Sequence, residues 1–284
     1  MSIVTSQQLA RYFEQYRATE VTFNKEVIDA TGLLTRNVYL KVADQQWPCI
    51  IYACSLTGAK VIASVKNAFF NSLRQSNSHV SLRCCFRLPD KTDPISFFVP
   101  SHAAGFTPYN QQNPDVQIIG LEFAQRPPDD LILILGTLLE ANATAKRRKE
   151  ERIVLTTESL KKLGLESRES LVTVDGVPRR CLLRDLSFSG AKVLVAGGAR
   201  DLDQKNATLR ILKGEQGDEI SLAGAVKRIE EVEGRSDILA LGIQFSAEPP
   251  MSYKIMISGY LSAARKTPNG PAAPAPRGGS ATGG

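Results

Sequence analysis

Val38, Leu40 and Val42 alternate with polar neighbours, and β-rich runs follow at 49–54, 59–65, 80–88 and 95–99. A period of two sends successive side chains to opposite faces, so these segments predict half-buried strands. The pattern returns after Arg152 at 153–155, 171–174, 180–185, 192–195, 208–212, 220–229 and 238–245. Helical spacing is confined to a few places. Leu9, Tyr12, Phe13 and Tyr16 form one apolar face of a helix opening at Ser6 and Gln7, and Asn24 caps a second helix ended by Gly32. Neither has an evident counterpart in the second half. Pro127-Pro128-Asp129-Asp130 opens a further helix running through Leu139 towards Arg148, since the first amides of a helix are unpaired and its dipole end is positive. Pro249-Pro250 opens a last helix placed to cover one end of the second β-rich stretch.

The two β-rich stretches are copies. Residues 181–193, CLLRDLSFSGAKV, align without gaps to residues 49–61, CIIYACSLTGAKV, with Cys, Ser, Gly, Ala, Lys and Val identical. Ile119-Gly120-Leu121-Glu122-Phe123 before Pro127-Pro128 is echoed by Leu241-Gly242-Ile243-Gln244-Phe245 before Pro249-Pro250. Two matched segments in the same order mark a duplication. Many short strands with turn signals between them predict a small closed barrel in each half, because closure removes exposed edges. The expected class is mainly β with flanking helices. The chain divides into a first barrel domain at 1–140, a basic linker at 141–152, a second barrel domain at 153–265 and a tail at 266–284 too rich in Pro, Gly, Ala and Ser to order.

The aligned copies differ where chemistry would lie. Asp185 stands opposite Ala53 and Arg184 opposite Tyr52, so the frame is kept while the charges occur once. The length of 284 residues suits two domains, and 43% hydrophobic with 23% charged residues marks globular units. The net charge of +6 matters less than its placement: Lys146, Arg147, Arg148, Lys149 and Arg152 are gathered between the halves. Five cysteines without a CxxC pair and two histidines indicate no metal or redox site, and Cys49 and Cys181 read as equivalent buried strand positions. With no signal-peptide pattern in the first residues and no apolar run long enough to cross a bilayer, a reducing cytoplasm is the expected compartment.

Arg148 and Arg152 form an RxxxR pair immediately before the first strand of the second half, and Asp185-x-Ser187-x-x-Gly190 follows downstream. RxxxR also occurs at Arg83 with Arg87 and at Arg180 with Arg184, within predicted strands where it makes a charge row. The ordered combination, with an LGxxF strand behind it, resembles the PilZ domain family over residues 147–260. That family consists of six-stranded β-barrel receptors for the bacterial second messenger cyclic diguanylate (c-di-GMP). The resemblance implies a non-catalytic receptor of the tandem type found in spirochaetes, with a degenerate first domain, and a ligand contacted by Arg147, Arg148, Arg152, Asp185, Ser187 and Gly190.

The residue types suit that ligand. A guanidinium can fork onto guanine O6 and N7, pair with phosphate or stack on a purine, whereas a carboxylate accepts from guanine N1 and N2 hydrogens. Asp185 and Ser187, two apart at a strand end, are expected on one face, with Gly190 allowing a close approach. The competing reading is a tight turn in which Asp and Ser satisfy local amides and Gly bends the chain. The helical stretch at 157–169 reads as an insertion between the two motifs. No cofactor is expected beyond the c-di-GMP ligand. The first half, with Ala53 and no arginine pair, is expected to bind no cyclic dinucleotide. Ligand binding would turn a loose joint into a fixed one and present a new shape to a protein partner in motility, attachment or virulence. The alternative is direct nucleic-acid binding through the basic linker, for which only Phe188 offers a stacking ring, and its partner Leu56 places it in the core.

Overall fold

The computed structural model describes residues 5–88, 91–197, 202–213 and 218–266. The first half comprises α1 (Ser6–Tyr16), β1 (Val21–Thr22), α2 (Lys25–Thr31), β2 (Tyr39–Val42), β3 (Gln45–Cys54), β4 (Gly58–Ser64), α3 (Asn67–Gln75), β5 (His79–Phe86), β6 (Ile95–Pro108) and β7 (Val116–Phe123). α4 (Asp129–Arg147) then leads to β8 (Ile153–Val154), α5 (Thr157–Leu163), β9 (Glu169–Val174), β10 (Val177–Leu186), β11 (Gly190–Ala196), β12 (Asn206–Lys213), β13 (Asp218–Val232), β14 (Arg235–Phe245) and α6 (Met251–Lys266).

Six antiparallel strands close on themselves in each half. The first ring runs β3-β2-β5-β6-β7-β4 and returns through β4–β3 pairing, with β1 on the free side of β3. The second runs β10-β9-β12-β13-β14-β11 and returns through β11–β10 pairing, with β8 on β10. Both barrels are thus as the sequence pattern predicts. Alternation fills them: Cys49 and Ile51 of β3, like Cys181 and Leu183 of β10, point inward and are buried. The alternation then slips by one at a β-bulge, between Ile51 and Ala53 in β3 and between Leu183 and Asp185 in β10.

The duplication extends further than sequence matching reveals. α2, capped by the Asn24 side chain and ended by left-handed Gly32, has a counterpart in α5, capped by Thr156 in a capping box and ended by left-handed Gly164. The absence of a partner for the Asn24 helix is therefore corrected, and 157–169 is part of the repeat rather than an insertion. The match was hidden because capping admits Asn and Thr alike, and because the buried face of so short a helix fixes few residue identities.

α4 belongs to both halves. Its Leu131, Ile132, Leu135 and Leu138 enter the first core, which holds a separate cluster from that of the second barrel. Gly136 lies against Tyr12 of α1 so closely that a Cβ would stand 2.2 Å from the ring. α6 divides its faces: Tyr253, Met256, Ile257 and Leu261 complete the second core, while Met251 joins the first, with Ile255 at its edge. Lys254 of α6, its side chain 5% exposed, donates to Asn142 Oδ1 of α4 at 3.1 Å and pairs with Glu248. The Met251 amide donates to Glu26 of α2. The joint between the halves is thus a packed helix layer, with residues 141–147 of the expected linker forming the end of α4. The first residue of the expected tail, Lys266, ends α6, and the expectation of disorder for 267–284 lies outside the described residues.

Candidate functional site

The local ladder builds the site. β8 pairs with β10 so that Val154 lies opposite Asp185 and Ile153 opposite Leu186, which carries Arg152 to the end of the same strand pair. Residues 33 positions apart in sequence thereby meet, and Arg152 Nη1 donates to Asp185 Oδ1 at 2.7 Å. The bulge between Leu183 and Asp185 turns the carboxylate out of the inward register, yet its side chain is only 13% exposed, against 52% for Arg152. An ionised pair at that distance is charge-assisted and directional.

Beside this pair runs a groove of about 580 Å³ whose wall includes Arg152, Asp185, Gly190, Lys192, Arg228 and Glu230. Lys192 Nζ donates to Glu230 Oε2 at 2.6 Å, and this bond holds the Glu230 carboxyl below its usual range. A hollow of about 630 Å³ lies elsewhere on the second barrel, beside Leu171, Leu182 and Leu212. It contains none of Arg147, Arg148, Arg152, Asp185, Ser187 and Gly190, and its lining is mostly apolar with Arg180 beside Glu169, so it suits a doubly charged ligand less well.

The predicted residues separate into two groups. Arg152, Asp185 and Gly190 share the groove wall; Arg147, Arg148 and Ser187 are not brought into it. Arg148 caps α4, its amide bonded to Thr144 O at 2.9 Å and its guanidinium 3.2 Å from Glu151. Arg147 is largely exposed, and its Nη2 lies 3.7 Å from Glu140, which also accepts the Tyr16 hydroxyl at 2.6 Å. The expectation that Asp185 and Ser187 share an open face is corrected: β10 ends at Leu186, and Ser187 is wholly buried in the turn. Its Oγ donates to Gly190 O and accepts from Gly190 N, both at 3.1 Å. Ser55 and Gly58 make the same two bonds in the first barrel, at 3.2 and 3.1 Å. Serine and glycine therefore hold the turn in either copy, as the competing reading of the hexapeptide has it for these two residues, whereas Asp185 bonds Arg152 rather than a local amide.

Glycine is required there by close approach. A Cβ at Gly190 would stand 2.4 Å from Ile243 O, and one at Gly58 would stand 2.5 Å from Leu121 O. The first barrel differs in charge: Glu20 occupies the place of Arg152 and pairs with Lys60 at 2.8 Å, and Ala53 in the place of Asp185 is buried. Sequence reasoning missed Lys192, Lys227, Arg228 and Glu230. Lys192 was hidden by its identity with Lys60, and the other three lie in a strand whose first-half counterpart shares no residue pattern with it.

Among the described residues, no group of three or more His, Cys, Asp or Glu side chains is placed to hold a metal ion, and no helix is long and apolar enough to cross a membrane. Comparison with known proteins gives two domain matches, the PilZN3 domain over residues 7–142 and the PilZ domain over residues 146–263. A protein of Treponema denticola named cyclic di-GMP binding protein is 41% identical over 267 residues, covering 94% of this chain and 85% of that protein. Among solved structures, the Borreliella burgdorferi PlzA protein in complex with c-di-GMP aligns at 22% identity and a TM-score of 0.41, covering 90% of this chain and 98% of that one. The Bacillus subtilis inhibitor of motility aligns at 13% identity and a TM-score of 0.32, covering 83% and 99%. With a PilZN3 domain followed by a PilZ domain, and with identity to the Treponema protein sustained across both, the chain belongs to the tandem PilZ proteins.

Proposed function

We propose that this protein is a non-catalytic receptor for c-di-GMP, bound where the connector meets the second barrel. The observation that carries the reading is the Arg152–Asp185 pair beside the charged groove. It sets a guanidinium next to a carboxylate, the two groups that together match the hydrogen-bonding edges of guanine. The name of the Treponema relative points the same way. In this reading Arg152 and Asp185 hold one guanine, Arg147 and Arg148 add charge for the phosphates from the connector, and Ser187 and Gly190 keep the turn in shape.

The output would be a change in how the two barrels are presented to a protein partner. α4 carries Arg147 at its end and α6 packs against both cores. A ligand that draws the connector towards the second barrel therefore biases the α4–α6 layer, by as much as its affinity differs between the two arrangements. Control of motility, attachment or virulence is the expected role. The nucleic-acid alternative relied on Phe188 as a stacking ring, and Phe188 is buried, so among the described residues it is not available at the connector.

Titration calorimetry with c-di-GMP, with GTP and cyclic diadenylate as controls, tests the reading. Saturable binding selective for c-di-GMP is expected. No heat and no shift in melting temperature at saturating ligand would overturn it.

A further inference from the structure

The duplication supplies an internal control for the groove. Strand pairing fixes which residues correspond, without reference to side-chain type. In the first barrel Phe123 opposes Ser101, Gly120 opposes Gly105 and Ile118 opposes Thr107. In the second, Phe245 opposes Gly224, Gly242 opposes Arg228 and Ala240 opposes Glu230. Each ladder is interrupted at the same point, between Ala103 and Gly105 and between Val226 and Arg228. Gly105 and Thr107 thus occupy the frames of Arg228 and Glu230, as Glu20 and Ala53 occupy those of Arg152 and Asp185.

Two classes of residue emerge. Those that hold the turn, Ser187 and Gly190, are kept in the first barrel as Ser55 and Gly58 with the same hydrogen bonds. The pair Arg228 and Glu230 is present only in the second barrel, together with Arg152 and Asp185 and along the same groove. Charges confined to one copy, and to one groove, serve what that groove holds.

The geometry joins them. Asp185 lies directly opposite Lys192 in the β10–β11 ladder, Lys192 Nζ donates to Glu230 Oε2 at 2.6 Å, and Arg228 Nη1 stands 3.5 Å from Glu230 Oε1. A charge row of alternating sign therefore crosses the groove from Arg152 to Arg228. The Arg228 side chain is 77% exposed, so the donors it does not direct at Glu230 face solvent, and the facing Gly242 leaves room for its stem: a Cβ there would stand 3.2 Å from Arg228 Cβ. A cyclic dinucleotide with two guanines needs a reader for each, and the groove offers an arginine beside a carboxylate at either end.

We infer that Arg228 is a second guanine-reading residue of the c-di-GMP site, with Glu230 as the positioning residue that holds Arg228 and Lys192 along the groove. This rests on the proposed function and extends it from one purine to two. Arg228 forks onto guanine O6 and N7, where adenine presents an amino donor instead of O6. It therefore contributes to selection against adenine as well as to affinity.

Calorimetry on the full chain tests this with Arg228→Ala, Arg228→Lys, Glu230→Gln and Glu230→Asp, titrated with c-di-GMP and cyclic diadenylate. Arg228→Ala is expected to weaken c-di-GMP binding tenfold or more and to narrow the preference over cyclic diadenylate. Arg228→Lys should recover only a small part of the loss. Glu230→Gln should weaken binding less, with recovery in Glu230→Asp, and the melting temperature without ligand should be unchanged in the Arg228 variants. Affinity of Arg228→Ala within twofold of the parent would overturn the inference and leave the proposed function standing. Absence of binding by the parent protein would overturn the reading on which it rests.

Discussion

The Tyr253 hydroxyl of α6 donates to the main-chain carbonyl of Ser187 at 2.8 Å, inside the turn that follows Asp185. The last helix thus grips the turn that shapes the groove, while its neighbours Met251 and Lys254 reach the first barrel and α4. Burial pushes the Tyr253 phenol far above its ordinary pKa, so it acts as a permanent donor. Tyr253→Phe leaves a buried carbonyl without a partner and is expected to cost about 1–3 kcal/mol of stability. Urea denaturation followed by circular dichroism measures it, and an unchanged midpoint would show that water or a neighbour replaces the bond.

Arg152 and Asp185 separate binding from stability. Because Arg152 is half exposed, their ion pair should add no more than about 1 kcal/mol to folding. Each group would make charge-assisted contacts to the ligand, so Arg152→Ala and Asp185→Ala should each weaken c-di-GMP binding by about 1.5–3 kcal/mol. Calorimetry beside thermal melting reads both quantities. Equal losses in the two would identify a structural bridge instead of a site.

Glycine substitutions distinguish turn from ligand. Gly190→Ala and Gly58→Ala each drive a methyl group into a main-chain oxygen and should destabilise their barrels by similar amounts, about 1–3 kcal/mol. The expected parity, measured by chemical denaturation, assigns the motif glycine to the fold. A loss confined to ligand affinity in Gly190→Ala would assign it to the site.

Restoring one charge should not restore a site. Ala53→Asp places a carboxylate at a buried position where Glu20 stands in place of Arg152. The variant is expected to melt at lower temperature and to keep the binding stoichiometry of the parent. A second set of binding sites by calorimetry would contradict this.

The thiols report on the packing of both barrels. Burial pushes Cys49, Cys54 and Cys181 up to about 12, from an ordinary value near 9, and raises Cys84 as well. A raised acid pKa favours the neutral form in the folded state, so this stability is complete below pH 9 and is lost as pH rises towards 12. Cys49, Cys54 and Cys181 should each remove on the order of 1 kcal/mol per pH unit in that window. Equilibrium denaturation between pH 8 and 10.5 checks the slope, and Ellman's reagent at pH 8 should find these thiols unreactive until the chain unfolds.

The six-stranded barrels were legible in sequence because alternation reports directly which face of a strand is buried, and the duplicated segments fixed which strands correspond. Arg152 and Asp185 were legible because a motif carries its spacing in one dimension. Ser187 was assigned to an open face because a period of two was continued past Leu186, where the strand ends and the chain turns inward. Lys192, Arg228 and Glu230 escaped notice because their meeting depends on β11, β13 and β14 lying side by side.

What is local or periodic in this protein can be read along the chain: two β-rich halves, their caps and turns, and the order of the charged motif. Long-range pairing emerges only in the folded chain: Arg152 and Asp185, 33 positions apart, meet in a 2.7 Å ion pair, α4 and α6 weld the two halves, and the groove carries charge at both ends. The reason is geometric. Side-chain period fixes which face a residue takes, but only barrel closure fixes which distant residue lies across from it.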